Sequence, residues 1–356
     1  MSRVPATVVA CFIACTSTPR ASAPPELDGA ARPDATADAT ADATADASND
    51  VTATPHDAEP SDAPLPPCQD LKGVVTKIAK GVYCVTGDVI VPKGTLLDIP
   101  AGTELIVKGR FHFGRDPALP DDDTAITGGI RAIGTASEPI VFRGQTTSTA
   151  WFGLAVSHCP FPVQLEYVTI RDTYKDDHSP INRIWRRGGG LSSYVNVKGT
   201  ILRHCQFINN RAYMIAGALD VNGNGESPNT ALLEITDSLF EDNSCECGTY
   251  DGSTDDKCGG GAIRFSHNVP PIKIERNVFR NNRALRTAAI DAYGGAIGAF
   301  DSLLPLGKDN QLIGNSAQAH DGAISCAGHP QLGINFTSVD PSNVFTGNLP
   351  DNGCGL

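Results

Sequence analysis

An apolar residue followed three positions later by asparagine recurs at nearly regular intervals along the second half of the chain. The motif reads F-x-x-N four times, and a leucine replaces the phenylalanine once. The apolar positions are separated by 33, 39, 33 and 33 residues and are Phe207, Phe240, Phe279, Leu312 and Phe345. The asparagines are Asn210, Asn243, Asn282, Asn315 and Asn348. Self-similarity at such a period indicates stacked supersecondary units rather than one globular core.

Triplets of glycine, alanine and an apolar residue form a second marker between these motifs. Full matches begin at Gly217, Gly261, Gly295 and Gly322, and Gly190 begins a near match. Glycine at these positions fits a bend where the backbone needs either a positive φ or a close approach to another segment. The shortest complete turn, from Gly190 to Gly217, takes 27 residues.

Short segments with strand-like alternation lie between the markers. Residues 165–170, 232–235 and 272–275 alternate apolar and polar side chains, as strands buried on one face do, and helical periods are nearly absent. We therefore predict an all-β, single-stranded right-handed parallel β-helix of about nine coils. Equivalent residues would stack at about 4.8 Å, with the phenylalanines inside. Each asparagine would pass an amide hydrogen bond to the next coil.

The composition divides the chain into three regions. Residues 1–15 read as an export signal, residues 16–67 as a linker rich in Ala, Asp, Thr and Pro, and residues 68–356 as the β-helix with an N-terminal cap. The linker has almost no large apolar side chains, so we expect a disordered stalk. The net charge of −12 argues against a nucleic-acid partner, and we expect a monomer.

The N-terminal region also predicts the location of the protein. Phe12-Ile13-Ala14-Cys15 resembles a bacterial lipoprotein signal, in which Cys15 becomes the lipidated first residue, although that motif usually has leucine where Phe12 stands. Acyl chains on Cys15 would anchor the protein to a membrane without a spanning helix. The expected location is the bacterial cell surface or outer membrane, and a secreted or periplasmic protein is the alternative.

Several runs in the chain resemble known repeat proteins. The Leu-Leu-Asp-Ile-Pro-Ala-Gly-Thr run at 96–103, the run at 132–142 and Trp151-Phe-Gly are similar to right-handed parallel β-helix proteins of the pectate lyase-like superfold. The Gly-Gly-Ala-Ile and F-x-x-N pair resembles the repeats of chlamydial polymorphic outer-membrane proteins. That resemblance implies an adhesin-like role, here without the membrane barrel in which those proteins end.

Three insertions, after Thr173, Asn243 and Asn282, predict a binding face. They leave the same corner of the coil and should stack on one side, and insertions in repeats often line a binding surface. Their candidate residues are Asp176, Asp177, His178, Arg183, Trp185, Arg186, Tyr250, Asp251, Asp255, Arg283, Arg286, Asp291 and Tyr293. We expect this face to bind a glycan or a protein, and solvated loops are the alternative.

Catalysis is the second hypothesis for the insertions and the coil. Hydrolases of this superfold carry Gly-His-Gly and Arg-Ile-Lys motifs, which this chain lacks. A polysaccharide lyase or epimerase acting on an acidic polysaccharide needs only a positioned base, for which Arg264, Arg276 and Arg280 are candidates. A structural surface protein without a ligand is a third alternative.

Metal binding has weaker support in the sequence. We expect no obligatory cofactor and no dedicated metal site. The segment 251–256 carries Asp251, Asp255 and Asp256, whose carboxylates are suited to calcium, but an acidic surface loop is the alternative.

The cysteines predict disulfides, because export favours their oxidation. There are 11 cysteines in the chain, and nine follow the signal. The pairs we expect are Cys68 with Cys84, Cys159 with Cys205, Cys247 (or Cys245) with Cys258, and Cys326 with Cys354.

Overall fold

The computed structural model of the chain describes residues 66–114, 116, 127–146, 150–175, 187–194, 198–223, 232–246, 258–266, 271–285, 292–300, 302, 304–318, 321–325 and 336–351. Within these ranges all regular secondary structure is β-strand, and every pairing of strands is parallel. The protein is thus all-β with long parallel sheets, as the sequence predicted, and compatible with a parallel β-helix. The predicted signal and nearly all of the predicted stalk lie outside the described residues.

The first face of the fold carries the F-x-x-N motifs. Its strands, in the order in which they pair, are β1 (Gln69–Val74), β2 (Val82–Ile90), β4 (Glu104–Val107), β7 (Ile140–Gly144), β10 (Val168–Arg171), β14 (Gln206–Ile208), β18 (Leu239–Glu241), β23 (Val278–Arg280), β28 (Gln311–Ile313) and β31 (Val344–Thr346).

The second face continues from the same long strand. The first half of β2 pairs with β4, and its last residues, Val89 and Ile90, pair with the first strand of the second face. The strands of this face are β5 (Phe113–Gly114), β8 (Leu154–Ser157), β12 (Leu191–Tyr194), β16 (Leu219–Asn222), β21 (Ile263–Ser266) and β26 (Ile297–Phe300). Hydrogen bonding through β2 therefore joins both faces into one sheet of 16 strands.

The third face is a separate sheet. It consists of β3 (Leu96–Pro100), β6 (Gly129–Ile133), β9 (Val163–Glu166), β13 (Thr200–Arg203), β17 (Leu233–Thr236) and β22 (Ile272–Glu275). The strands β27 (Leu304–Leu306) and β30 (Phe336–Val339) form a further pair. Each comes directly before a strand of the first face, as the third-face strands of the preceding repeats do.

A small sheet of two-residue strands lies between the first and second faces in the chain order. It contains β11 (Tyr174–Lys175), β15 (Arg211–Ala212), β19 (Ser244–Cys245), β24 (Arg283–Ala284) and β29 (Ser316–Ala317), and β20 (Cys258–Gly259) pairs separately with β25 (Ala292–Tyr293). From β10 onward the chain visits the first face, the small sheet, the second face and the third face in turn. This repeated order brings equivalent segments of successive repeats side by side.

The apolar residues of the F-x-x-N motifs form one column inside the first face. Phe207 pairs in register with Phe240, Phe240 with Phe279, Phe279 with Leu312, and Leu312 with Phe345. The rings of the first three are fully buried, and consecutive ring centroids lie 5.0 Å apart with planes within 9° of parallel. Stacking thus adds an aromatic contact to the burial of each ring.

The asparagines of the motifs form a continuous hydrogen-bonded ladder. The side-chain amide of Asn210 donates to Oδ1 of Asn243 over 3.0 Å, and the same contact links Asn243 to Asn282, Asn282 to Asn315 and Asn315 to Asn348. Each Oδ1 also accepts a backbone N–H of the preceding layer. The ladder therefore satisfies backbone groups at a buried corner that no strand pairing reaches.

A second ladder stands at the corner between the third and first faces. The Nδ2 group of Asn277 donates to Oδ1 of Asn310, and that of Asn310 donates to Oδ1 of Asn343, each over 3.0 Å. Ser238 and Cys205 occupy the same position in the preceding layers, where the backbone N–H of Cys205 donates to Oγ of Ser238. The sequence analysis missed this ladder, although every member lies two residues before a motif phenylalanine or leucine.

The marker glycines are explained by close approach. A Cβ added to Gly217, Gly261 or Gly295 would overlap the carbonyl oxygen of the glycine one layer on, and φ is not positive at any of the three. The sequence suggested either a positive φ or a close approach as the reason for glycine. The structure shows that the reason is the close approach of neighbouring backbones at this corner.

One predicted disulfide is present and one is replaced by free thiols. Cys68 bonds to Cys84, with the Cα atoms 5.4 Å apart, and ties the segment before β1 to β2. Cys159 and Cys205 are free and buried, so the predicted disulfide between them was wrong. Cys159 follows the second face, whereas Cys205 precedes the first face in the second ladder, so the thiols lie at different corners. Cys247, Cys326 and Cys354 lie outside the described residues.

Replacing a central asparagine of the first ladder should cost far more stability than replacing a surface amide. Asn243→Ala leaves the backbone N–H of Asn210 and the carbonyl of Phe207 without their partners, and we expect a loss of roughly 3 kcal/mol or more. Gln311→Ala, on the exposed side of β28, should cost less than about 0.5 kcal/mol. Urea unfolding followed by circular dichroism measures both. Equal losses would contradict a role of the ladder in stability.

Alanine at a marker glycine should destabilise through overlap of backbone and Cβ. For Gly261→Ala we expect a loss of roughly 3 kcal/mol, because the neighbouring layer must move. Gly73→Ala is the matched control, since Gly73 has a φ of +72° but no atom within 4 Å of the added Cβ. Only the conformational cost of about 1 kcal/mol applies there. A larger loss for Gly73→Ala in the same unfolding assay would refute the close-approach explanation.

Candidate functional site

Most of the predicted binding face lies outside the described residues. This holds for Asp176, Asp177, His178, Arg183, Trp185, Arg186, Tyr250, Asp251, Asp255, Arg286 and Asp291. The described members are Arg283, which is exposed in β24, and Tyr293, which is half-buried in β25. The calcium hypothesis for residues 251–256 also lies outside the described ranges.

The residues at both ends of each insertion are described. The insertions leave from the small sheet, after Lys175 in β11, Glu246 after β19, and Leu285 after β24. The described chain resumes at Arg187, Cys258 and Ala292, each shortly before a strand of the second face. The described ends of the insertions therefore adjoin the small sheet on one side and the second face on the other.

A polar groove lies along the exposed side of the small sheet, and we call it the flank groove. It has a volume of about 300 Å³ and is lined by Asn209, Arg211, Asp242, Ser244, Asn281, Arg283 and Leu285. Strand pairing generates it, because Tyr174, Arg211, Ser244, Arg283 and Ser316 stand in one register-matched row. The adjacent turn contributes Asn209, Asp242 and Asn281, all with φ between 52° and 56°.

One end of the flank groove is organised by a three-residue network. The guanidinium of Arg211 stacks over the ring of Tyr174 at 4.5 Å and donates to Glu246 over 2.5 Å. The Tyr174 hydroxyl donates to the other oxygen of Glu246 over 2.9 Å. Burial is the main cause that raises the pKa of Tyr174, and this contact with Glu246 adds to it. Arg283 lies two layers further along the row, and among the described residues its exposed side chain has no ion-pair or hydrogen-bond partner. The groove thus contains Arg211, whose guanidinium is held by Tyr174 and Glu246, and Arg283, whose side chain is exposed.

The outer side of the second face carries a row of polar residues that is nevertheless buried. Ser192, Asp220 and Arg264 are neighbours in β12, β16 and β21, and the residues on either side of each belong mostly to the apolar core. Because side chains alternate along a strand, these three point away from the core. Ser192 and Asp220 have no exposed surface, and Arg264 is 8 % exposed. We call this row, together with the segments that cover it, the outer compartment.

The segments that follow the insertions cover the outer compartment. A Cβ on Gly188 would meet the backbone N–H of Asp220, and a Cβ on Gly298 would meet the backbone of Gly259 in β20. Gly298 continues the row after Arg264, so the lack of a side chain there leaves room for β20. Backbone laid over the sheet therefore accounts for the burial of charged groups on its outer side.

Lys175 is the most unusual member of the outer compartment. Its position in β11 pairs with Ala212, and Cys245, Ala284 and Ala317 follow in the same row, so a lysine stands where small residues are the rule. Its side chain is fully buried, and Nζ donates to the carbonyls of Leu154 and Arg187, each over 3.2 Å. Burial lowers the pKa of Lys175 to about 7, against an opposing effect of Asp220.

Asp220 lies among cations. Nη1 of Arg264 is 4.0 Å from Oδ1 of Asp220, and Arg187 and Lys175 also act on the carboxylate. Burial raises the pKa of Asp220, and the three cations oppose that effect. Buried charges contribute little to stability, and ionisable groups with shifted pKa values concentrate at functional sites, so Lys175 and Asp220 are candidates for binding or chemistry.

The arginines that were candidates for a catalytic base have different surroundings. Arg276 is bound by both oxygens of Asp237, and Arg280 pairs with Glu241, both on the exposed surface. Arg264 is the one of the three that lies in a buried polar site. Sequence reasoning could name Arg264 but missed Lys175 and Asp220, because neither stands in a motif. The signal that was available for Lys175 is its place in a row of Ala and Cys.

The described residues contain no group of three or more His, Cys, Asp or Glu side chains that could hold a metal ion. They also contain no helix that is long and apolar enough to cross a membrane.

Comparison with known proteins yields no relative. No protein-family model, no curated protein sequence and no solved structure matches this chain.

The stability of the protein should rise with pH above neutrality because of Lys175. Its pKa is about 7 in the folded protein and 10.5 in the unfolded chain, so between these values the unfolded chain binds more protons. Stability then increases with pH through this window, by up to about 5 kcal/mol for a difference of about 3.5 in pKa. Urea unfolding at pH 6, 7, 8 and 9 measures the slope.

Lys175→Met provides the test of that assignment. The variant should lack most of the rise between pH 7 and pH 9, whereas Lys72→Met, on the exposed surface, should keep the slope of the parent protein. A parent-like slope in Lys175→Met would show that another group causes the pH dependence.

Proposed function

We propose that this is an exported bacterial cell-surface protein that binds a glycan through the flank groove, without catalysis. The observation that carries the proposal is the row of polar side chains, Tyr174 to Ser316, that strand pairing repeats along an exposed surface. A rigid scaffold that repeats polar groups at about 4.8 Å suits an extended polymer that offers hydroxyl groups along its length.

The chemistry of the groove favours a glycan over a protein partner. Its lining is nearly all polar, with arginine, asparagine, aspartate and serine side chains and only one apolar residue, Leu285. Protein interfaces are distinguished by buried aromatic and apolar anchors at their centre, and the described part of the groove has none. Arginine and asparagine side chains have several hydrogen-bonding atoms each, which suits paired sugar hydroxyls.

The wider setting of the proposal comes from the sequence. We propose a right-handed β-helix of about nine coils, similar to the pectate lyase-like superfold, with repeats similar to those of chlamydial polymorphic outer-membrane proteins. The parallel rows of the three faces support this assignment. A lipid on Cys15 and a flexible stalk would hold a monomeric domain away from the membrane, so that the flank groove faces the surroundings of the cell.

A polysaccharide lyase or epimerase is the second candidate. Lys175 favours it, since an amine with a pKa of about 7 is suited to abstract a proton at neutral pH, and Arg264 lies beside Asp220 in the same compartment. Full burial of Lys175 and Asp220 argues against it, because a polymer cannot reach them in this conformation. Appearance of ultraviolet-absorbing unsaturated sugars from pectin or alginate would establish this activity in place of simple binding.

Removal of the two groove arginines should weaken glycan retention without unfolding the protein. On a glycan array we expect Arg211→Ser/Arg283→Ser to lose at least about tenfold in affinity, because charge-assisted hydrogen bonds are lost. Arg276→Gln on the third-face corner is the matched control and should bind like the parent. The proposal fails if the double variant binds like the parent, or if the parent retains no glycan.

A further inference from the structure

The central row of the flank groove alternates between cationic and neutral layers. Arg211 is followed by Ser244, Ser244 by Arg283, and Arg283 by Ser316, each in register with the next. Successive layers are about 4.8 Å apart, so the backbones of the two arginines are about 10 Å apart along the groove. The row therefore presents a cationic side chain at every second layer.

The turn beside this row has the same two-layer period. Asn209, Asp242 and Asn281 line the groove, and each stands two residues before a member of the row. An asparagine amide thus accompanies each arginine, and a carboxylate accompanies the serine between them. A guanidinium has only donors, whereas an ionised carboxylate has only acceptors. The arginine layers therefore suit an anion, and the layer between them suits hydroxyl groups.

Arg283 is placed differently from arginines on the other faces. On the first and third faces, arginines pair with a carboxylate of the adjacent layer, as do Arg131 with Asp98, Arg203 with Glu234, and Arg280 with Glu241. Arg283 instead has serines in both adjacent layers. Within the described ranges neither its side chain nor the side-chain amide of Asn281 has a hydrogen-bond partner. This layer therefore offers donors to an anion from outside the chain.

Arg211 supplies a second anion position, and its guanidinium is held in place. It lies over the ring of Tyr174 and donates to Glu246. A guanidinium has five N–H groups, so others remain for a ligand. Glu246 offsets part of the positive charge, and we therefore expect Arg211 to contribute less to binding an anion than Arg283 does.

We propose that the glycan of the flank groove is an acidic polysaccharide that presents a carboxylate to the groove at every second sugar. This inference rests on the proposed glycan binding and names its substrate class. One sugar ring of an extended chain is about as long as one layer, so carboxylates two sugars apart meet Arg211 and Arg283. The hydroxyl groups of the sugar between them donate to Asp242.

The groove has room for such a chain. Its volume is about 300 Å³, and its lining residues span the three layers from Arg211 to Arg283. Every one of these residues is exposed or half-buried. The donors and acceptors that the proposal uses are therefore accessible from solvent.

Oligosaccharides of hyaluronan test the spacing, because only every second sugar of this polymer carries a carboxylate. Their binding to the full chain of 356 residues is measured by isothermal titration calorimetry at low ionic strength. The disaccharide has one carboxylate and the tetrasaccharide has two, so we expect the affinity to rise about tenfold or more between them. Further lengthening should add much less, because the described row contains two arginines.

Chemical reduction of the carboxylates to alcohols provides the matched ligand. The reduced tetrasaccharide should bind about tenfold or more weakly than the acidic one, because the charge-assisted hydrogen bonds are lost. Unsulfated chondroitin, in which a uronic acid also alternates with a neutral sugar, should bind like hyaluronan.

Variants assign the effect to the row. Arg283→Gln should bind the tetrasaccharide no better than the disaccharide, and Arg283→Lys, which keeps the charge but not the planar fork, should recover part of the gain. Asn281→Ala should lose a smaller part. Arg276→Gln, which removes an exposed ion pair outside the groove, is the control and should behave like the parent.

Equal affinities for the acidic and the reduced tetrasaccharide would overturn the inference, and so would equal affinities for the disaccharide and the tetrasaccharide in the parent protein. If the parent retains only neutral glycans on the array and loses them in Arg211→Ser/Arg283→Ser, the proposed function stands and the acidic class is wrong. Retention of no glycan by the parent would remove the proposed function itself.

Discussion

Register between successive layers is the constraint on which the rest of the structure depends. Every strand pairs in parallel with its equivalent one repeat away, so each position meets the same kind of position above and below. A slip of one residue in a strand would exchange the core side for the outer side. It would also remove Phe240 from between Phe207 and Phe279 and break both asparagine ladders. The ladders thus secure the corners, where strand hydrogen bonds end, and the stacked rings secure the interior.

The same register places charged side chains on the outer sides of the sheets. The pairing of these charges differs between the third face and the small sheet. On the third face, Arg203 binds both oxygens of Glu234, and Lys273 reaches the same carboxylate from the next layer. Glu234 is buried beneath these two cations, so the charges of this face are paired with one another. Along the small sheet, Arg283 is exposed and has no partner within the described part of the chain. The flank groove is therefore a better candidate for recognition than the third face.

The outer compartment is the place where this chain accepts a cost in stability. A covered row with Lys175 and Asp220 requires that ionisable groups lose water, and their pKa values shift in the direction that opposes charge. Apolar residues of similar size would fill the space at less cost. The covering segments at Gly188 and β20 belong to the first described residues after two of the insertions.

The sequence alone was sufficient for the all-β class, the parallel stacking and the columns of Phe207 and Asn210, because a period of 33 residues repeats the same local preferences in every layer. It also identified the Cys68–Cys84 pair, whose partners lie only 16 residues apart. Only the tertiary structure showed that Cys159 and Cys205 are free thiols, because a disulfide depends on which corner each thiol occupies. It also decided that Lys175, Asp220 and Arg264 share one buried space. They come from separate turns of the chain and stand in no motif, so only the winding of the backbone brings them together.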